Sequence, residues 1–207
     1  MKNGLGPIVR VGESITILVL LNLVWIITVI LGCGVTVGAA TTAAYTVMRK
    51  RADKEKDEVM IHTCFSIYWK ALKENFKEST IVWIITLVLG TMLVANIRFS
   101  LISSESLALV LKALQIIILI QLVFINIYCY SMISNFEADI KRIMYSALLI
   151  ANAHLFTTLT CVVIAAALLF TVKMFNFLPV FILISSYVAV TSFIFKPIFK
   201  KYSRGEI

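Results

Sequence analysis

The 207-residue chain is 60% hydrophobic and only 14% charged, with a mean hydropathy of +0.97, which excludes a soluble globular domain and points to a polytopic membrane protein. Three prolines and eight glycines leave little linker composition, so a single membrane domain over 1–207 is expected. The net charge of +8 does not indicate nucleic acid, because the basic residues stand at the ends of apolar runs, where a cytoplasmic leaflet retains them.

From about Ser14 to Leu31 an apolar run is just long enough to cross a hydrocarbon core roughly 30 Å thick, and Gly32-Cys33-Gly34 ends it. Lys2 and Arg10 ahead of the run and Ile30-Leu31-Gly32-Cys33 at its end loosely imitate a lipoprotein leader. Leu31 fits poorly beside the small residue a cleavage site needs, and five further spans follow, so a membrane helix is expected instead. Between Val35 and Met48 the small residues Gly38, Ala39, Ala40, Ala43 and Ala44 let the helix approach a neighbour closely in lipid, and Gly38, Ala39, Thr41 and Ala43 are its helix-packing motif. At about 14 residues this second segment is either a thin crossing or a re-entrant half-helix, and the hairpin over 14–50 is correspondingly short.

The stretch 51–79 reads as a charged cytoplasmic loop. Eight of the nineteen Lys and Arg residues fall between Arg49 and Lys77, interleaved with Asp53, Glu55, Asp57, Glu58, Glu74 and Glu78. Within it Phe65, Tyr68, Trp69, Leu72 and Phe76 recur at helical spacing, with Ser66, Lys70, Lys73, Glu74 and Lys77 on the other face. Such a helix lies at the headgroup level. Two readings stay open for it: an anchor on an anionic cytoplasmic leaflet, or a docking helix for another protein. A lipid anchor gains nothing from six acidic residues, which repel anionic headgroups. Mixed signs suit the polar rim of a protein contact, with Trp69 and Phe76 as its apolar centre.

Four longer segments follow, forming a bundle over 80–196: Thr80 to Ile97, Leu107 to Ile133, a run from Ile143 to Val172, and Leu178 to Phe195. The third starts with Lys141-Arg142 and stays mixed through Asn152 and His154, so its first half is interfacial or buried against protein and its crossing is concentrated from Leu155 onward. The expected fold is therefore an all-α membrane protein of about six membrane segments in three hairpins, one cytoplasmic amphipathic helix and a basic tail over 197–207. With six crossings, one side collects sixteen of the basic residues and the other only Arg98, Lys112 and Lys173. The positive-inside rule then places both termini in the cytoplasm of a bacterial plasma membrane. A faint repeat, Ala71-Leu72, Asn75 and Thr80 against Ala147-Leu148, Asn152 and Thr157, is spaced by 76 or 77 residues.

Three blocks carry a resemblance: Gly38-Ala39-Ala40-Thr41-Thr42-Ala43-Ala44-Tyr45 followed by Arg49-Lys50; Trp69-Lys70 followed by Lys73-Glu74-Asn75-Phe76; and Asn22 with Trp25 in the first run. Together they resemble the YesL-like family of small bacterial integral membrane proteins, with Ala39 standing where that family usually has proline. The resemblance implies a helical membrane fold without a known reaction. It also implies association with carbohydrate uptake and utilisation systems, including ABC-type sugar importers. The expected contact surface, for a partner or for the membrane, is Arg49, Lys50, Trp69, Lys70, Lys73, Asn75, Phe76 and Lys77.

Little in the chain supports catalysis. His62 and His154 are the only histidines, no carboxylate lies inside a span, and no residue group has the arrangement of a nucleophile with its base. Asn152 with His154 is the candidate intramembrane polar site, set against the plainer reading of a histidine at the cytoplasmic interface. Asn22, Asn96, Gln115, Gln121 and Asn126 read as amides that bond across helices. Cys33, Cys64, Cys129 and Cys161 lack metal-ligand spacing and read as packing residues. No catalytic residue, cofactor or metal is expected. The functional reading is an accessory or interaction subunit of a carbohydrate system, with a small-solute permease or channel as the alternative.

Overall fold

The computed structural model describes residues 7–52, 61–100, 106–174 and 180–203. Among these are eight helices: α1 (Pro7–Leu31), α2 (Val37–Ala52), α3 (Ile61–Glu74), α4 (Phe76–Ser100), α5 (Ser106–Asn135), α6 (Ile140–Ala153), α7 (Leu155–Met174) and α8 (Val180–Ser203). Five of them contain stretches long and apolar enough to cross a bilayer: Gly12–Leu31, Phe76–Arg98, Leu109–Asn135, Leu155–Met174 and Ile182–Tyr202. The chain is an all-α membrane protein. Its long helices and α2 follow the expected three pairs, α1 with α2, α4 with α5 and α7 with α8, and α3 and α6 connect one pair to the next.

The first pair turns on a tight helix end. The Gly34 N–H donates to Val29 O at 2.9 Å and the Cys33 N–H to Ile30 O at 3.1 Å, the paired bonds that close a helix through a left-handed residue. Cys33 (φ 47°) and Gly34 (φ 79°) both take that conformation. Cys33 is exposed in this turn rather than packed, whereas Cys64, Cys129 and Cys161 are buried as expected. The turn is held from outside by Trp83 of α4, whose indole donates to Gly34 O at 3.0 Å, and from inside by Thr36, whose hydroxyl donates to Thr28 O at 2.8 Å.

Helix α2 is the centre of the molecule. At 16 residues it is about 24 Å long and is not one of the five long apolar segments, in keeping with the short hairpin expected there. Every residue from Gly38 to Met48 except Thr41 is buried, because α1, α3, α4, α5 and α8 all pack on it. Its small residues make this possible. A methyl group added at Gly38 would overlap the backbone carbonyl of Ser79 and crowd Cβ of Trp83 on α4.

Helix α3 runs back along α2, since Cys64 lies within electrostatic reach of Arg51 while Ser79, just beyond α3, meets Gly38 and Thr42. Cys64, Tyr68, Ala71 and Leu72 form its buried face, and Phe65 and Trp69 remain exposed. So Tyr68 and Leu72, expected on one apolar face with the other aromatics, instead pack into the protein. Burial pushes the Tyr68 hydroxyl up to about 12, opposed by its hydrogen bond to Thr28, and raises the Cys64 thiol against the pull of Arg51. This inner face is neutral at ordinary pH.

Helix α6 is a second amphipathic connector, split from α7 at His154, where the sequence suggests one mixed run. It repeats α3. Both have 14 residues, and the buried positions Cys64, Tyr68, Ala71 and Leu72 recur 79 residues later as Ile143, Ala147, Ile150 and Ala151. The breaks correspond as well. The Asn75 N–H donates to Ala71 O and Asn75 O accepts from Ser79, as the His154 N–H donates to Ile150 O and His154 O accepts from Thr158. Ser79 and Thr158, both fully buried, each meet a hydroxyl on an earlier helix, Thr42 of α2 at 2.8 Å and Tyr128 of α5 at 3.1 Å. The repeat is therefore real in register 79 and not in the 76 or 77 read from residue identities, which alanine and leucine can match by chance in so biased a composition. In the basic tail, α8 continues through Lys196, Lys200 and Lys201 to Ser203. The mixed charge of 53–60 lies outside the described residues.

The close approach at Gly38 yields a direct test. Gly38→Val should destabilise the protein by at least 2 kcal/mol, the upper part of the usual range of about 1–3 kcal/mol for overpacking, because the obstacle is backbone. Gly12→Val, with nothing within 4 Å of an added Cβ, should cost far less. Thermal unfolding in detergent compares them, and equal stability of the two variants would refute the central packing of α2.

Candidate functional site

The start of α1 and the ends of α2, α5 and α8 converge at one end of the bundle. Arg51 donates to Ser14 Oγ at 2.6 Å, Lys196 Nζ to Ala52 O at 2.8 Å, and Arg49 Nη1 to Asn135 Oδ1 at 3.5 Å. Between α2, α5 and α8 is a cavity of about 410 Å³. Its walls repeat polar residues one helical turn apart: Tyr45 and Arg49 on α2, Ser131 and Asn135 on α5, and Ser192, Lys196 and Lys200 on α8. Ala52, Phe136 and Phe199 complete the lining. Tyr45 is anchored by its hydroxyl on Thr191, 2.9 Å away, and Asn135 by its amide on Ser131 O at 2.6 Å. Phe199 stacks edge-on to Phe136 with ring centroids 5.7 Å apart. Of these residues only Arg49 stands out in the sequence. The i, i+4 spacing of polar residues near three helix ends is visible without a structure, but the meeting of those ends is not.

The residues expected to form one contact surface fall in two places. Arg49 lines the cavity and Lys50 is half-buried on the same last turn of α2. Trp69, Lys70, Lys73, Phe76 and Lys77 are exposed around the α3 to α4 junction, with Lys70 Nζ 3.9 Å from Glu74 Oε1. Asn75 is the break itself and donates its side-chain amide to Ala71 O at 2.9 Å. Gly38, beside the junction, and Arg49 are eleven residues apart on α2, about 16 Å along the axis. Of the packing-motif residues, Gly38, Ala39 and Ala43 are buried, and Thr41 accepts the Trp25 indole N–H at 3.1 Å.

Asn152 and His154 are not brought into one site. Asn152 exchanges a reciprocal pair of amide hydrogen bonds with Gln121 of α5, both at 3.1 Å. His154 Nε2 lies 3.4 Å from the Tyr202 hydroxyl of α8. Among the other amides, Asn22 donates to Val180 O of α8 and Asn126 to Thr86 of α4 at 3.1 Å, which is the cross-helix role expected of them. Among the described residues no three His, Cys, Asp or Glu side chains stand close enough to hold a metal ion.

Residues 18–97 match the family model described as protein of unknown function, DUF624. YesL-like proteins belong to that family, so the resemblance read from the sequence holds. The matched stretch takes in α2, α3 and most of α1 and α4, and with them Asn22, Trp25, the Gly38 block and the Trp69 to Phe76 block. No curated protein and no solved structure matches the chain.

The separate placement of the two polar residues has a measurable consequence. In a double-mutant cycle, Gln121→Ala and Asn152→Ala should couple by about 0.6 kcal/mol, the average for hydrogen bonds between membrane helices. Asn152→Ala and Tyr202→Phe, which share no partner, should add within about 0.5 kcal/mol. Unfolding in mixed detergent micelles reads both. Strong coupling in the second cycle would show that Asn152 and His154 act as one site after all.

Proposed function

We propose that this integral membrane protein is a non-catalytic partner of a carbohydrate uptake or utilisation system, of the ABC-type sugar importer class. In this reading it sits in the bacterial plasma membrane with both termini cytoplasmic and docks through the α3 to α4 junction. The observation that carries the docking surface is the exposure of Trp69 and Phe76, each 44% accessible, beside Lys70, Lys73, Glu74 and Lys77. Exposed apolar residues are ordinary on the lipid-facing spans. Here they sit among alternating charges, which is the composition of an interface with an aromatic centre and a polar rim. The carbohydrate assignment rests on the family resemblance alone. The sixteen-to-three distribution of basic residues supports the orientation, as does the meeting of the start of α1 and the end of α8 at one end of the bundle.

A second reading, solute permeation, is favoured by one observation, the cavity among α2, α5 and α8. A cavity at one end of a bundle is not a path through it, so the docking reading ranks first.

Purification from its own membranes in mild detergent should bring down subunits of a carbohydrate importer. Trp69→Ala should weaken that association by about thirtyfold or more, the effect of losing an interface anchor worth about 2 kcal/mol. Charge reversal at Lys70, Lys73 and Lys77 together should lower sugar uptake at unchanged protein abundance. A protein that purifies alone, with uptake indifferent to these changes, would defeat the proposal. Orientation is tested separately: a cysteine at position 102 should react with an impermeant thiol reagent in intact cells, and one at position 56 only after permeabilisation. The reverse pattern would invert the topology.

A further inference from the structure

We propose that α6 enters the bilayer as a re-entrant helix, and that its outer face, Tyr145 and Leu149 with Phe156 at the start of α7, is covered by lipid acyl chains. This inference stands apart from the docking reading, since it concerns the second of the two repeated junctions and holds whether or not anything docks at the first.

The repeat supplies the comparison. In register 79 the exposed residues Ser66, Lys70, Lys73, Glu74 and Lys77 of the first junction become Tyr145, Leu149, Asn152, Ala153 and Phe156 in the second, and these are exposed as well. Four charges are lost, and an aromatic or large aliphatic side chain stands at three of the five positions. The inward faces are buried in both junctions, so the difference lies in what surrounds the outer side. Phe156, at 90%, is the most exposed large hydrophobic side chain among the described residues. The strip is also graded along the chain. Glu137, Asp139, Lys141 and Arg142 are exposed around the start of α6, Tyr145 follows, and no further Lys, Arg, Asp or Glu occurs until Lys173 at the end of α7. Charge, then tyrosine, then hydrocarbon is the order met in passing from water through headgroups into a bilayer core. Two acidic and two basic residues cancel at its start, so apolar contact rather than attraction to anionic headgroups holds the helix in place.

Two hydrogen bonds fix the depth. Asn152 pairs with Gln121, near the middle of the apolar stretch Leu109–Asn135, and Thr158 pairs with Tyr128, which is also inside it. At the first junction Ser79 instead meets Thr42 of α2, which is not one of the long apolar helices, at the beginning of the stretch Phe76–Arg98. From Arg142 to Asn152 α6 advances about 15 Å, half of a hydrocarbon core roughly 30 Å thick. The Asn152 amide is adapted to that depth. Although the residue is exposed, its Nδ2 donates to Gln121 Oε1 at 3.1 Å and to Leu148 O at 2.8 Å, and its Oδ1 accepts from Gln121 Nε2 at 3.1 Å. An amide facing water has no need of such closure, whereas one facing hydrocarbon does.

The competing occupant is protein, either a partner or a second copy of the chain. A protein contact is bounded by a polar rim, and the only polar group along this strip after Tyr145 is the closed amide of Asn152. The strip also runs on without interruption into the exposed Leu159 and Val163 of α7, a helix on which only Thr158 and Cys161 are buried. That surface is the face a spanning helix shows to lipid, and the outer face of α6 continues it.

The test uses the full chain in phosphatidylcholine liposomes, with Cys33→Ser removing the exposed thiol while Cys64, Cys129 and Cys161 stay buried. Spin labels are attached at Leu149→Cys, Phe156→Cys, Lys70→Cys or Lys77→Cys, one at a time. Labels at 149 and 156 should collide several-fold more with oxygen, which partitions into lipid, than with an aqueous nickel chelate, and labels at 70 and 77 should show the reverse. If Phe156→Cys fails to fold, Leu149→Cys and Ala153→Cys carry the comparison. In cells, benzoylphenylalanine introduced at 149 should give no protein adduct on illumination. Nickel access at 149 equal to that at 70 would place the strip in water. Low access to both reagents, spin–spin broadening between copies, or a protein adduct of defined mass would place protein on it. Each of these results would overturn the proposal.

Discussion

The architecture depends on how closely other helices can approach α2. Between membrane helices there is little hydrophobic drive, since lipid tails are as apolar as leucine, and association rests on van der Waals contact and hydrogen bonds. Helix α2 meets that constraint with small residues and hydroxyls in place of bulk. Thr41 receives Trp25 from α1, Thr42 pairs with Ser79 of α4, Tyr45 with Thr191 of α8, and Arg49 with Asn135 of α5. One short helix thus supplies a polar contact to each of four neighbours, and Gly38 admits the α4 backbone where a side chain would hold it off.

The same constraint explains the repeated unit. A chain that must pass from an amphipathic connector into an apolar span changes direction, and the change exposes backbone groups that lipid cannot satisfy. In both halves the solution is a single non-helical residue, Asn75 or His154, which keeps its own N–H on the preceding turn and offers its carbonyl to the following one. A buried hydroxyl four residues later, Ser79 or Thr158, then fastens the new helix to an earlier one, α2 through Thr42 or α5 through Tyr128. The sequence identities that suggest a repeat at 76 or 77 fall short of this register because the conserved property is burial and bonding, which Tyr68 and Ala147 or Ser79 and Thr158 satisfy with different side chains.

Hydropathy made the spans, the short first hairpin and the break at Gly32-Cys33-Gly34 legible, since each is a property of consecutive residues. The division of α3 into a protein face and an exposed aromatic face was not legible, because periodicity groups Tyr68 with Trp69 and cannot show that only Tyr68 is covered by the rest of the protein. Neither was the cavity. Its residues come from 45–52, 131–136 and 192–200, and nothing within any one of those segments shows that the three helix ends meet. Asn152 and His154 are two residues apart in sequence, which cannot show that the break at His154 directs them to Gln121 and Tyr202 on different helices.

The two candidate surfaces differ in their relation to the family. The exposed strip from Trp69 to Lys77 lies wholly inside the matched stretch 18–97, whereas the cavity takes only Tyr45, Arg49 and Ala52 from it and draws the rest of its lining from α5, α8 and Phe136 just beyond α5. Helix α2 serves both: its first turns seat the α3 to α4 junction through Gly38 and Thr42, and its last turn presents Arg49 to the cavity. The two surfaces thus lie against opposite ends of one short helix, about 16 Å apart between Gly38 and Arg49, and α2 fixes their separation because its close packing leaves no slack.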